Sequence, residues 1–162
     1  MNRRSLIVLL AAVMLLAFAA PSFSGVMQHP IGVQIWSPDT WKTDVDDQLL
    51  TIMSPDEGAV VMLLVLQANN LDMAVQEMDR QLDQVVTGTQ VTNGPTNINI
   101  NGLTGVAHEG FGLIDGVRVG WVTGLLRYGR HVIMVMEFSE SANYHKYEGM
   151  LTEIFKSIRA YR

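Results

Sequence analysis

The chain of 162 residues contains no cysteine. This absence excludes disulfides, thiolate metal sites, a cysteine nucleophile and a lipid-modified N-terminal cysteine. The chain also lacks an apolar run of the roughly 20 residues that a helix needs to cross a hydrocarbon core. Its longest apolar run, Leu6 to Ala20, has 15 residues. A domain with neither disulfides nor a membrane span must be stabilised by its own hydrophobic core.

That short apolar run has the flanks of an export signal. Met1-Asn2-Arg3-Arg4 precedes it, and a stretch with small residues follows it up to Ser24. A positive start, a short apolar core and small residues at the cut are typical of a cleaved signal peptide. We therefore expect a signal peptide over residues 1–24, cut after Ser24 or after Ala19. Residues 25–162 then form one periplasmic or secreted domain, the alternative being an uncleaved N-terminal anchor.

The mature domain is acidic. The whole chain has 11 basic and 16 acidic side chains, which gives a net charge of −5, and removing Arg3 and Arg4 with the signal lowers it to −7. A negative domain is not drawn to nucleic acid or to anionic lipid by long-range attraction. We therefore expect no nucleic acid partner and no stable membrane span after cleavage. The densest acidic group, Asp44, Asp46 and Asp47, is interpreted as a solvated loop.

Turn residues divide the chain into strands. The first strand is predicted at Ile31 to Trp36, followed by a turn at Pro38–Trp41, where proline fixes the first φ angle. Leu49–Met53 and Ala59–Gln67 flank a five-residue loop and predict a hairpin. Asp115-Gly116 predicts a two-residue hairpin turn. This turn sets a register in which Gly110 faces Trp121 and His108 faces Thr123, and a second turn near Tyr128–Arg130 adds another strand.

Two amphipathic helices are predicted. The first, Leu71–Val86, begins at the capping residue Asn70, and the second, Ala142–Ala160, begins at Ser141. An irregular strand is expected between Gly88 and Asn101. The central strands are apolar on both faces, whereas an antiparallel sheet with one wet face alternates. We therefore predict an α+β fold, an antiparallel sheet of about six strands covered by helices on both faces in an α/β/α sandwich.

Three segments carry a resemblance to a known family. They are the opening strand with proline and tryptophan after it, a mid-chain hairpin entry, and the end of the closing helix. In this sequence they are Ile31–Trp41, Ile100–Ala107 and Glu153–Arg159. Their order resembles the Mog1/PsbP-like family, which includes exported bacterial proteins. The resemblance implies an antiparallel sheet between helices, usually no enzymatic activity, and function through binding partners as different as photosystem II and a small GTPase. No binding residue of the family maps onto a position of this chain.

Candidate metal ligands are few. His29, His108, His131 and His145 show neither the i, i+4 helical spacing nor the i, i+2 strand spacing of a metal site on one element. Met134 and Met136 share a strand face and, with a histidine nearby, have the soft chemistry that Cu(I) prefers. Trp121, Val132 and Phe138 share that face, and methionine packs readily in such cores. We therefore interpret the methionines as packing residues and predict no metal site and no cofactor.

No catalytic signature is present. Glu109 and Glu137 are predicted on one face with Arg118, where paired carboxylates are able to act as acid and base. A cross-strand ion pair, or charges at the rim of the covering helix, is the favoured interpretation. The serines lie at predicted turns and helix ends and lack a nucleophile elbow. We predict no catalytic residues and no enzymatic activity.

The favoured hypothesis is an exported, non-enzymatic module that binds an unknown protein partner in the cell envelope. Seven glycines between Gly102 and Gly124 leave the hairpin around Asp115-Gly116 with few side chains, so a partner is able to approach its backbone closely. The candidate interaction surface consists of Trp36, Pro38 and Trp41 near one end of the sheet and of Asp115 and Gly116 at a hairpin tip. The alternative hypothesis is a periplasmic protein that binds a small ligand or a metal between sheet and helix.

Overall fold

The computed structural model describes residues 25–46, 49–68 and 70–161. The predicted signal peptide, its cut sites and Asp47 lie outside these residues. Within the described ranges the chain forms ten strands, two α-helices and one short 3-10 helix at Ser141–Asn143. The strands are β1 (Gly25–His29), β2 (Val33–Ser37), β3 (Lys42–Val45), β4 (Leu49–Met53), β5 (Ala59–Leu66), β6 (Thr87–Ile100), β7 (Leu103–Ile114), β8 (Val117–Tyr128), β9 (His131–Glu140) and β10 (Arg159–Ala160). The helices are α1 (Leu71–Val85) and α2 (Tyr144–Lys156).

The strands form two antiparallel sheets. In the described part of the chain, the large sheet has seven strands in the order β3-β4-β5-β9-β8-β7-β6. The small sheet has three strands in the order β1-β2-β10. The predicted antiparallel sheet is therefore present, with one strand more than the six expected and with a second sheet that the sequence did not indicate.

The hairpin register follows the turn residues. Gly110 pairs with Trp121 and His108 pairs with Thr123, as predicted. The next hairpin pairs Tyr128 with His131 across its turn. β6 is as irregular as expected, because its pairing with β7 shifts register at three places. A two-residue turn fixes the pairing of every later residue, which is why this part of the fold followed from the sequence.

Each face of the large sheet packs against its own core. Met78 and Leu82 of α1 pack with one set of strand residues that includes Trp121 and Met134. On the opposite face, Leu151 and Ile154 of α2 pack with a set that includes Val61 and Val135, together with Val33 and Ile35 of the small sheet. The predicted cover on both faces is confirmed in part, because α2 shares its face with β1, β2 and β10.

The boundaries of α1 agree with the prediction, whereas those of α2 do not. α1 begins as predicted, since the Asn70 side chain accepts a hydrogen bond from the Met73 amide at 2.9 Å. α2 is shorter than predicted at both ends: its N-cap is Asn143 rather than Ser141, and it ends at Lys156. The chain after Lys156 leaves the helix to form β10, which pairs with β2. Neither described helix has the length and apolar composition of a membrane-spanning segment.

Candidate functional site

The structure separates the five residues predicted to form an interaction surface. Pro38 and Trp41 are buried, Trp36 is half-buried, and Asp115 and Gly116 are exposed at the β7–β8 turn. Three strands, β4, β5 and β9, lie between β3, which follows Trp41, and β8. At the usual strand spacing, the four steps from β3 to β8 alone amount to roughly 20 Å across the sheet. These residues therefore do not form one continuous surface.

Trp41 is a core residue. Only 4% of its surface is exposed, and its ring meets that of Tyr147 edge-on, with the centroids 6.0 Å apart. The Trp41 amide donates to the Pro38 carbonyl at 3.1 Å, which confirms the predicted turn. The expectation that the Trp41 side chain is available to a partner is corrected by this packing. The proline–tryptophan pattern places the ring under α2.

The polar groups around Trp41 satisfy one another. The Asp56 carboxylate accepts hydrogen bonds from Lys146 Nζ, from Tyr147 Oη and, at 3.0 Å, from Ser54 Oγ. The hydrogen bonds from Lys146 and Tyr147 hold the pKa of Asp56 well below its usual range, and Asp56 in turn raises the pKa of Lys146. This cluster ties the β4–β5 loop to α2. A carboxylate that accepts three hydrogen bonds stabilises the structure and is not free to act as an acid or base.

The predicted pair Glu109 and Glu137 lies on the α2 face. Both residues face Val122 from the flanking strands, Glu137 being 8% exposed and Glu109 exposed. Burial, and then the Glu109 carboxylate, raises the pKa of Glu137 to about 7. Arg118 lies with its guanidinium 4.3 Å from the centroid of the Phe111 ring. The two glutamates therefore form a like-charge pair, and the expected cross-strand ion pair is not what sets the pKa of Glu137.

Trp36 is half-buried and lies among partly exposed side chains of the small sheet. Val26 pairs with Trp36, and Arg159 pairs with Gln34, so all four side chains lie on the outward side of the small sheet. Val26 is 51% exposed, and Arg159 is exposed. Lys156, at the end of α2, lines the same two shallow clefts as Trp36, with volumes of about 340 and 360 Å³. We call Val26, Trp36, Lys156 and Arg159 the Trp36 surface.

The backbone beneath the Trp36 surface is fixed by hydrogen bonds. The Trp36 amide donates to Ser157 Oγ at 2.8 Å, and that hydroxyl donates to the Ile154 carbonyl at 2.6 Å. Asn101 Nδ2 donates to the Lys156 and Ile158 carbonyls at 2.8 and 2.9 Å. These bonds satisfy groups at the C-terminal end of α2 that the helix leaves open. The surface is therefore held on rigid elements.

Three of the four residues of the Trp36 surface were not predicted from the sequence. Val26 belongs to β1, which follows directly on the predicted cut site, and its pairing with β2 has no turn signal of the strong Asn-Gly type. Lys156 and Arg159 were assigned to one continuous helix. The closing segment Glu153–Arg159 contained a signal for the end of the helix. Its serine, Ser157, caps α2 between the two basic residues.

A second group of polar atoms lies buried on the α1 face. The indole Nε1 of Trp121 and the imidazole Nε2 of His108 are buried and have no hydrogen-bond partner within the described part of the chain. A buried polar group left unpaired costs about 1–3 kcal/mol. No group of three or more His, Asp or Glu side chains among the described residues is placed to hold a metal ion. Methionine thioethers are metal ligands of a different, softer class and are not counted in such groups.

The fold is shared with solved structures of low sequence identity. Cyanobacterial PsbP (CyanoP) from Synechocystis aligns with a TM-score of 0.60 and 10% identity, over 91% of this chain and 99% of that chain. The Ran-binding protein Mog1p from Saccharomyces cerevisiae aligns with a TM-score of 0.54 and 8% identity, over 85% and 96%. A Bacteroides thetaiotaomicron structure aligns with a TM-score of 0.57 and 10% identity over 86% of this chain, which spans 50% of that protein.

These alignments define the class of fold. The chain has a Mog1/PsbP-like fold, as the three sequence segments indicated. No family model matches the chain, and no curated protein matches it. At identities near 10% the likeness concerns the arrangement of sheet and helices and assigns no function.

Proposed function

We propose that this protein is an exported, non-enzymatic module that binds a protein partner in the cell envelope through the Trp36 surface. The observation that carries the proposal is a half-buried tryptophan beside an exposed valine and two cations, on a backbone fixed by hydrogen bonds. Tryptophan and arginine are the residue types that dominate binding energy at protein interfaces. A rigid surface also loses little conformational entropy when it binds.

The charges of the Trp36 surface favour an acidic partner. Lys156 and Arg159 line its clefts, with Glu153 as the acidic neighbour. The rest of the domain is acidic, so a carboxylate-bearing segment is attracted to this surface and repelled elsewhere. Such complementarity sets orientation and association rate more than affinity. We therefore expect an extended partner segment with an apolar residue for Trp36 and Val26 and carboxylates for the two cations.

The fold supports a binding role without specifying the partner. The yeast protein of the same fold is described as Ran-binding, so this architecture serves at least one protein as a binding scaffold. The non-enzymatic part of the proposal is supported by the Asp56 cluster, whose members use their hydrogen bonds on one another. Export is supported by the charge and apolar pattern of residues 1–24.

The test is site-specific crosslinking in the native envelope. A photo-crosslinking side chain at position 36 is expected to capture one partner, and Trp36→Ala is expected to weaken binding of that partner at least tenfold. Val91→Ala is the control, because Val91 is an apolar side chain, 57% exposed, on β6, an edge strand of the large sheet. Equal binding by the Trp36→Ala variant and wild type, with unchanged circular dichroism, would rule out this surface.

Asp115 and Gly116 are tested separately, because the structure places them on a different part of the molecule. The same crosslinking side chain at position 115 reports on the β7–β8 turn. Capture from position 115 and not from position 36 would move the interface to that turn. A second candidate function, binding of a metal ion, is favoured by the buried His108 Nε2 on the α1 face, which has no hydrogen-bond partner in the described part of the chain.

A further inference from the structure

Soft ligand atoms lie in one row across the large sheet. His108 pairs with Thr123, Thr123 pairs with Met136, and Met136 pairs with Met62. Directly paired residues place their side chains on the same face with Cβ atoms roughly 5 Å apart. The row therefore begins with an imidazole, passes a hydroxyl and ends with two thioethers. All four residues are buried on the face that α1 covers.

Helix α1 adds a third thioether above the middle of this row. The Thr123 hydroxyl donates a hydrogen bond to Met78 Sδ at 2.9 Å, and Met78 is 1% exposed. The sulfur of Met78 is thus fixed over the strand between His108 and Met136. In this row His108 and Met136 flank the short Thr123 side chain, and Met78 Sδ lies against the Thr123 hydroxyl, so these three side chains border the space above Thr123.

His108 has a buried ring nitrogen without a hydrogen-bond partner among the described residues. Its side chain is buried, with 8% of the residue exposed, and its Nε2 has no hydrogen-bond partner in the described part of the chain. The backbone of β6 lies close to His108 on the other side. A Cβ added at Gly94 would be only 3.2 Å from His108 Cγ. A buried imidazole nitrogen that no protein group hydrogen-bonds is able to ligate a metal ion.

We propose that His108, Met78 and Met136 form a binding site for a soft monovalent ion, Cu(I), above Thr123. Two thioethers and one imidazole suit Cu(I). Zn²⁺ takes about four thiolate, imidazole or carboxylate ligands, of which this row supplies one imidazole, and Ca²⁺ and Mg²⁺ take oxygen ligands. His108 and Met136 are each 8% exposed, so these two residues lie nearer the surface than Met78 and Thr123. The site is independent of the Trp36 surface, which lies on the small sheet.

The competing explanation is that these side chains only fill the core. Methionine does so readily, and the sequence alone favoured that interpretation for Met136. The two explanations differ at Met134, which is on the same face in the next row, between Leu125 and Leu64. Met134 is fully buried and has no histidine in its row. It is therefore the matched control for Met136.

The first experiment uses the wild-type mature protein and Cu(I) itself. With methionine methyl groups labelled for NMR, one equivalent of Cu(I) under anaerobic conditions is expected to shift the methyl signals of Met78 and Met136 and the ring signals of His108. The methyl signal of Met134 is expected to stay in place. Absence of shifts at stoichiometric Cu(I), or equal shifts at all buried methionines, would overturn the proposed site.

Variants then measure the affinity by competition with a Cu(I) chelator. Met78→Leu and Met136→Leu conserve volume, so folding is retained. Each is expected to weaken Cu(I) binding by at least the roughly tenfold that loss of a supporting group around a metal costs. His108→Leu is expected to do the same, and Met134→Leu is expected to match wild type. Wild-type affinity in both Met78→Leu and Met136→Leu would contradict the assignment.

Discussion

Gly110 lies beneath the indole of Trp121, where no side chain fits. A Cβ at this position would lie 2.5 Å from Trp121 Cζ2 and 2.2 Å from the Gln90 carbonyl oxygen. Gly110→Ala is therefore expected to lower the free energy of unfolding by about 1–3 kcal/mol through overpacking. Urea unfolding followed by circular dichroism measures the change.

Gly120 gives the control on the next strand. The nearest heavy atom to a Cβ there is 4.0 Å away, and its φ is not in the left-handed region. Gly120→Ala is expected to leave the free energy of unfolding unchanged or to raise it by up to about 1 kcal/mol, because alanine restricts the unfolded chain. Equal losses in the two variants would show that the indole does not rest on Gly110.

At the same scale, the sequence predicted some residues well and others badly for a physical reason. Gly110 opposite Trp121 followed from the turn at Asp115-Gly116, since local turn geometry fixes a hairpin register. The burial of Trp41 did not follow, because it depends on Tyr147, which is more than a hundred residues away in the chain. Residue type alone does not distinguish a tryptophan that packs from one that binds.

Secondary-structure elements were predicted where one local signal fixed them. α1 has a cap at Asn70 and one apolar stripe, and both ends lie within a residue of the prediction. The end of α2 was wrong, because Ser157 and Asn101 satisfy its last carbonyls from outside the helix. β1 and β10 were missed because both pair with β2, and β10 does so from the far end of the chain.

The packing of β7, β8 and β9 under α2 makes stability depend on pH through Glu137. Its pKa is raised from 4.5 to about 7, first by burial and then by Glu109. Between these values the folded state holds a proton that the unfolded state has lost, so stability falls as the pH rises through this window. Above pH 7 the free energy of unfolding is lower than at acidic pH by about 3 kcal/mol for a pKa shift of this size.

Two variants test this dependence. Glu137→Gln is expected to be more stable than wild type at pH 8 and equal to it at pH 4, as measured by urea unfolding at each pH. Glu109→Gln removes the smaller of the two causes, so its gain at pH 8 is expected to have the same sign and a smaller size. Parallel pH profiles for wild type and Glu137→Gln would contradict the elevated pKa.

For the molecule as a whole, the sign of the charge differs between the Trp36 surface and the rest of the domain. The net charge of −5 can be counted from the sequence but its distribution cannot, because Lys156 and Arg159 are brought together with Trp36 only when β10 pairs with β2. The fold class was predictable, since two apolar faces on central strands require cover on both sides. The proposed binding surface was not, since it joins β1 and β2 to residues near the other end of the domain.

This charge distribution predicts how binding responds to charge reversal. Lys156→Glu with Arg159→Glu is expected to weaken binding of the partner captured from position 36 at least tenfold, because carboxylates then face carboxylates. Lys42→Glu with Arg80→Glu changes the net charge by the same amount on other parts of the surface, at ion pairs with Glu57 and Glu77 that contribute little to stability. That control is expected to bind within about twofold of wild type, because charges beyond a Debye length of about 8 Å are screened at physiological salt. Equal weakening by both double variants, measured by calorimetry at constant salt, would mean that net charge rather than the Trp36 surface governs association.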